Sequence, residues 1–158
     1  MKSILFTSIL LVATLAQART VTCKQTAQNA DEMGDFNGTF SLEIPNQNAK
    51  KITAIVVDAK GKSHAYEASF DDHDSLSDVD DEGYVNYHMD EDYDPKKEAR
   101  FVSPDSDLAG SDGDSIIFMD KKILKGQSGT VSLSSGQPND GDGGPAWIWS
   151  RNFYFNCK

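Results

Sequence analysis

Residues 147–157 read WIWSRNFYFNC, with Trp147, Trp149, Phe153, Phe155 and Cys157 in odd positions and Ser150, Asn152 and Asn156 in even ones. Apolar residues that recur every second position fit a strand with one face on a core, because successive side chains point to opposite faces of a sheet. The pattern predicts a strand whose odd residues face inward, the tryptophans with them. Arg151 breaks the row, and an arginine there is expected near the sheet's end, its charged head reaching water along its aliphatic stem. Trp147 also follows the turn-rich GGPA, where an exposed indole would stack on a sugar or a partner's side chain, so it is the candidate ligand-binding residue.

The same test applied near the other end gives a matching result. In TVTCK, residues 20–24, Val21 and Cys23 share one face, while Thr20, Thr22 and Lys24 take the other. The chain has two cysteines, Cys23 and Cys157, and both fall on the predicted inward face of their strands. That is the geometry for a bridge across neighbouring strands or packed sheets, and their separation is nothing like C-x-x-C. A Cys23–Cys157 disulfide is therefore expected, provided the compartment is oxidising.

Export meets that condition. Lys2, the apolar run Ile4 to Leu15 and the small-x-small triplet Ala16-Gln17-Ala18 have the layout of a secretory signal over residues 1–18. The run is shorter than the ~20 residues that cross a bilayer, so no membrane insertion is expected after cleavage. The mature chain, residues 19–158, is expected to be one domain in the periplasm or outside the cell.

Between the two ends, short β-branched and aromatic runs alternate with turn residues, which predicts an all-β domain. Asn37-Gly38 precedes GTFSLEI, where Phe40, Leu42 and Ile44 share a face. KITAIVVDA reads as a central strand and pairs across the Lys60-Gly61 turn with KSHAYEASF, where Tyr66, Ala68 and Phe70 are in phase. Further strands are expected in GYVNYHM, RFVS, DSIIFMD and GTVSLSS, and a helix only around TAQNADEMG. SPDSDLAGSDGD and SSGQPNDGDGGPA read as connections. The sum is a single antiparallel β-sandwich or barrel of about 8 strands.

Loss of residues 1–18 removes Lys2 and no acid, leaving 14 cations against 25 acids, a net charge of −11. On that total, nucleic acid and anionic membrane surfaces are disfavoured partners. Eleven of the acids lie between Asp71 and Asp94. Asp71, Asp72, Asp74, Asp78, Asp80, Asp81 and Glu82 would make a weak calcium site if the loop folded back, calcium being tolerant of six to eight oxygen ligands. The spacing does not match a helix-flanked calcium loop, and a hydrated connector is the simpler reading. His73 and His88 are too far apart in the chain for a ready zinc tetrahedron, and His64 sits in another strand.

No nucleophile elbow, metalloprotease helix or reactive Cys/His arrangement appears. The expectation is a non-enzymatic binding or structural module of the cell envelope or secreted fraction, acting on an unknown protein or glycan. Weak calcium or carbohydrate binding is the alternative, and a small hydrolase the least favoured.

Overall fold

Ten strands and one short helix form among the described residues, in the order β1 (Arg19–Gln25), β2 (Gly38–Ile44), β3 (Lys51–Asp58), β4 (Ser63–Asp71), β5 (Ser77–Val79), β6 (Val85–Tyr87), β7 (Glu98–Ser103), β8 (Ser115–Asp120), α1 (Lys121–Leu124), β9 (Gly129–Pro138) and β10 (Trp147–Cys157). The structure is a computed structural model that describes residues 18–26, 36, 38–71, 77–79, 85–87, 93–109, 114–138 and 147–158. The segment for which a helix is expected, TAQNADEMG, lies outside them apart from Thr26.

Eight strands run β1-β2-β3-β4-β7-β8-β9-β10 in an antiparallel meander, and β10 pairs back onto β1 to close a barrel. Of the two architectures the sequence allows, the barrel is the one formed. Closure leaves none of these eight strands at an open edge. β5 and β6 form a separate hairpin between β4 and β7, with Val79 opposite Val85.

Cys23 and Cys157 stand opposite each other in the closing seam and are bonded, with Cα atoms 4.1 Å apart. Thr22 and Lys158 exchange two backbone hydrogen bonds of 3.0 Å beside them. The cysteines thus occupy the adjacent non-hydrogen-bonded position, where antiparallel strands approach most closely. Because the bridge spans 134 residues, it removes roughly 5 kcal/mol of chain freedom from the unfolded state, an upper figure.

Inside, the alternation read from the sequence supplies the packing. Phe40, Leu42 and Ile44 of β2, Phe101 of β7, Ile117 and Met119 of β8, Val131 and Leu133 of β9 and Phe155 of β10 are all buried. Each large apolar side chain so placed contributes about 1.5–3 kcal/mol relative to exposure. Phe36 adds an edge-on ring 5.2 Å from both Phe153 and Phe155. An eight-stranded barrel either fills its interior with side chains or encloses a small ligand, and here all eight strands contribute buried side chains to one apolar cluster.

Each mouth is stopped by a connection. At one, residues 104–109 fold back so that Leu108 and Ala109 join the core. Buried Ser115 holds them: its hydroxyl donates to the Ser106 carbonyl (2.9 Å) and accepts from the Ala109 N–H (3.1 Å). Tyr66 adds a hydrogen bond to Asp107, 2.8 Å. At the other mouth α1 inserts Ile123, and Arg19 donates to its carbonyl.

Two features correct the simple alternation. The register of β10 on β9 slips by one residue, pairing Arg151 with Ser134 and Phe153 with Leu133, which makes Asn152 a β-bulge. The strand positions of Trp147, Trp149 and Arg151 are therefore out of phase with Phe153, Phe155 and Cys157. The outer side of the wall also differs from expectation, since Arg100, Ile116, Phe118, Ser132 and Ser134 are buried although their register places them between inward-facing neighbours. Tyr93, at the end of the acidic stretch, packs on Phe118 with ring centroids 5.4 Å apart.

Candidate functional site

Of the seven acids expected to hold calcium, Asp71 is the one whose side chain is described, and its Oδ2 lies 2.7 Å from Nη2 of Arg100. Asp78 lies in β5, paired with Asn86, and its side chain is outside the described residues. Asp72, Asp74, Asp80, Asp81 and Glu82 lie outside the described residues altogether, as do His73 and His88. His64 is on β4 with Nε2 3.7 Å from Asp58 Oδ2, beside the β3–β4 turn. Among the described residues no three His, Cys, Asp or Glu side chains converge on a metal-sized point. Trp147 opens β10 opposite Pro138, and its side chain is outside the described residues.

A different set of residues converges instead. Since Cys23 and Cys157 face inward, their neighbours Lys24 and Asn156 face outward, and these two are register partners. Asn156 is in turn opposite Thr130 of β9. Lys158, two residues on, projects from the same side. The outer surface of three adjacent strands thus presents an amine, a carboxamide, a hydroxyl and a second amine near the disulfide. Lys122 of α1 and Ser128 of the α1–β9 connection form the far wall. Together they enclose a cleft of about 490 Å³.

Local chemistry fixes that far wall. A side chain on Gly129 would come within 2.8 Å of both Asp120 and Ile123, so the bare backbone lets β9 begin directly against α1. Asp120 Oδ2 accepts from the Thr130 N–H (2.7 Å) and hydroxyl (3.0 Å) and lies 3.3 Å from Lys122 Nζ. Burial raises the Asp120 pKa, but these donors outweigh it and hold the carboxyl below its usual value. The donors of Thr130 are thereby engaged by Asp120. Lys24, Lys158, Ser128 and Asn156 remain to face a ligand.

Lysine ammonium groups are compact charges with rotatable donors, and they attract phosphate, sulfate or carboxylate without demanding one geometry. Nothing in the sequence singles these residues out, because they are scattered along the chain and the net charge has the opposite sign. A scan against protein-family models and searches of curated proteins and of solved structures gave no match.

Proposed function

We propose that the protein is an exported, non-enzymatic binding module that works through the outside of its barrel, taking an anionic group in the lysine-lined cleft beside the disulfide. The observation that carries this reading is the convergence of Lys24, Lys122 and Lys158 with Asn156 and Ser128 around one cleft, in a chain whose net charge is −10. Export is supported by the signal-like residues 1–18 and by a disulfide at the barrel seam, which suits an oxidising compartment. Among the described residues no helix is long and apolar enough to cross a membrane.

Titration calorimetry with inorganic phosphate, calcium and a neutral oligosaccharide tests the reading. Phosphate binds the wild type, and Lys24→Ala with Lys158→Ala weakens it by about tenfold or more. Binding of calcium or the oligosaccharide with no phosphate binding would replace this reading with one centred on the acidic stretch or on Trp147.

A further inference from the structure

Each strand of the barrel has a neighbour on both sides, but β4 is not paired along its whole length. On one side β3 accompanies it from Ser63 to Ser69. On the other, β7 meets its last three residues, with Ser69 opposite Val102, Phe70 opposite Phe101 and Asp71 opposite Arg100. Continuing that register would set Glu67 opposite Pro104, which has no N–H to give, and β7 ends one residue earlier at Ser103. Asp105 then turns the chain with a φ of 48°, and the connection folds into the mouth.

The phase of the β3–β4 bonds decides which backbone groups of β4 are left over. The Phe70 N–H donates to the Lys50 carbonyl (2.8 Å), and at the far end of the same ladder the Asp58 N–H donates to the Lys62 carbonyl (2.9 Å). Even-numbered residues of β4 therefore bond toward β3, and odd-numbered ones point the other way. Ser69 and Asp71 meet β7, whereas Ala65 and Glu67 direct their N–H and C=O groups past its end. Both residues are exposed, and among the described residues neither has a backbone partner there. Such an edge is a template for one more strand.

Charge selects the kind of strand. The edge lies at the barrel end opposite the cleft, together with the β1–β2, β3–β4, β7–β8 and β9–β10 connections. Residues 104–114 include Asp105, Asp107, Asp112 and Asp114, and neither they nor residues 26–37 and 139–146 contain a Lys or Arg. Lys60 and Lys62 of the β3–β4 turn are the cations of these four connections, and the acids outnumber them. Glu67 adds a carboxylate on the edge itself. We propose that the stretch of β4 around Ala65 and Glu67 receives an extended basic segment of a partner protein as an added strand, its backbone bonding to these two residues and its cations meeting the acids of this end. This surface is separate from the anion cleft and does not depend on it.

The probe is a hexapeptide alternating lysine and valine, blocked at both ends and titrated into the wild type while amide exchange is followed. In the free protein the Ala65 and Glu67 amides exchange fast and those of Tyr66 and Ala68, bonded to β3, exchange slowly; the peptide slows Ala65 and Glu67. Binding weakens by about tenfold or more when every peptide amide is N-methylated or when glutamate replaces the peptide's lysines. Ala65→Pro, which removes an N–H the barrel does not use, weakens it by about tenfold, and Glu67→Lys by about threefold. The N-methylated peptide and Glu67→Lys carry the test without altering the backbone of β4. Equal binding of the N-methylated or glutamate peptide, or unchanged exchange at Ala65 and Glu67, overturns the proposal. So does self-association of the wild type that Ala65→Pro abolishes, which would give the edge to a second copy of this chain.

Discussion

Arg100 of β7 is 4% exposed on the outer side of the barrel wall, with Nη2 2.7 Å from Oδ2 of Asp71 at the end of β4. A charged side chain on the outside of a barrel ordinarily meets water. Here the acidic stretch begins at one member of the pair, and its last described residues bring Tyr93 to within 5.6 Å of the other. Removing Asp71 takes an ionic partner away from a buried guanidinium, which costs more than losing an exposed pair. Asp71→Ala is expected to destabilise the fold by about 3 kcal/mol, measured by urea unfolding. Asp71→Leu with Arg100→Met should cost less than Asp71→Ala alone, since the buried guanidinium is replaced together with its carboxylate. Equal losses in the two proteins would show that the pair has no role beyond packing.

The seam disulfide makes the next prediction. Cys23→Ser with Cys157→Ser frees the first and last strands of the barrel, and stability should fall by up to about 5 kcal/mol. Thermal melts of the wild type with and without reductant should show the same fall, while the double variant should ignore reductant. A wild type whose melting point does not respond to full reduction would place the seam's strength in the β1–β10 hydrogen bonds alone.

Ser115 holds the plug at one mouth through both faces of its hydroxyl. Ser115→Ala removes the hydroxyl that accepts from the buried Ala109 N–H and donates to the Ser106 carbonyl, an expected loss of about 1–3 kcal/mol. Hydrogen exchange should locate the effect, with faster exchange at Ala109 and unchanged rates in β2 and β3.

Tyr66 predicts an alkaline limit. Burial, then the hydrogen bond to Asp107 and that residue's charge, push its pKa up to about 12 from 10.0. A group whose pKa is raised on folding stabilises fully below its unfolded value and loses that contribution as pH climbs through the folded one. Stability should therefore decline between about pH 10 and 12, and Tyr66→Phe should flatten that part of the profile. A Tyr66→Phe profile that keeps the full wild-type slope would assign the decline to other groups.

Much of this fold is legible in the sequence because period two is a local property. Phe40, Leu42, Ile44, Val131 and Leu133 face the core as their spacing predicts, and Cys23 and Cys157 meet across neighbouring strands. Closure is not local: whether β10 returns to β1 or packs in a second sheet depends on the summed twist of all the strands, so sandwich and barrel look alike in the chain. The bulge at Asn152 depends on how β10 registers on β9, and its one trace in the sequence is Arg151 standing in an apolar row. β5, three residues within an acidic stretch, has no alternation long enough to read. The cleft was hidden for a further reason. Lys24, Lys122 and Lys158 come together only once the parity of the meander is known, and a formal total of −10 directs attention to the acids instead.

The most direct test of the central claim is to map amide chemical shifts while inorganic phosphate is titrated into the wild type at low ionic strength. If the cleft receives anions, the amides of Lys24, Ser128, Asn156 and Lys158 move together along one saturable curve, and Ala59 to Lys62 at the far end stay still. Shifts confined to the far end, or none at phosphate concentrations well above those of the buffer ions, would contradict it.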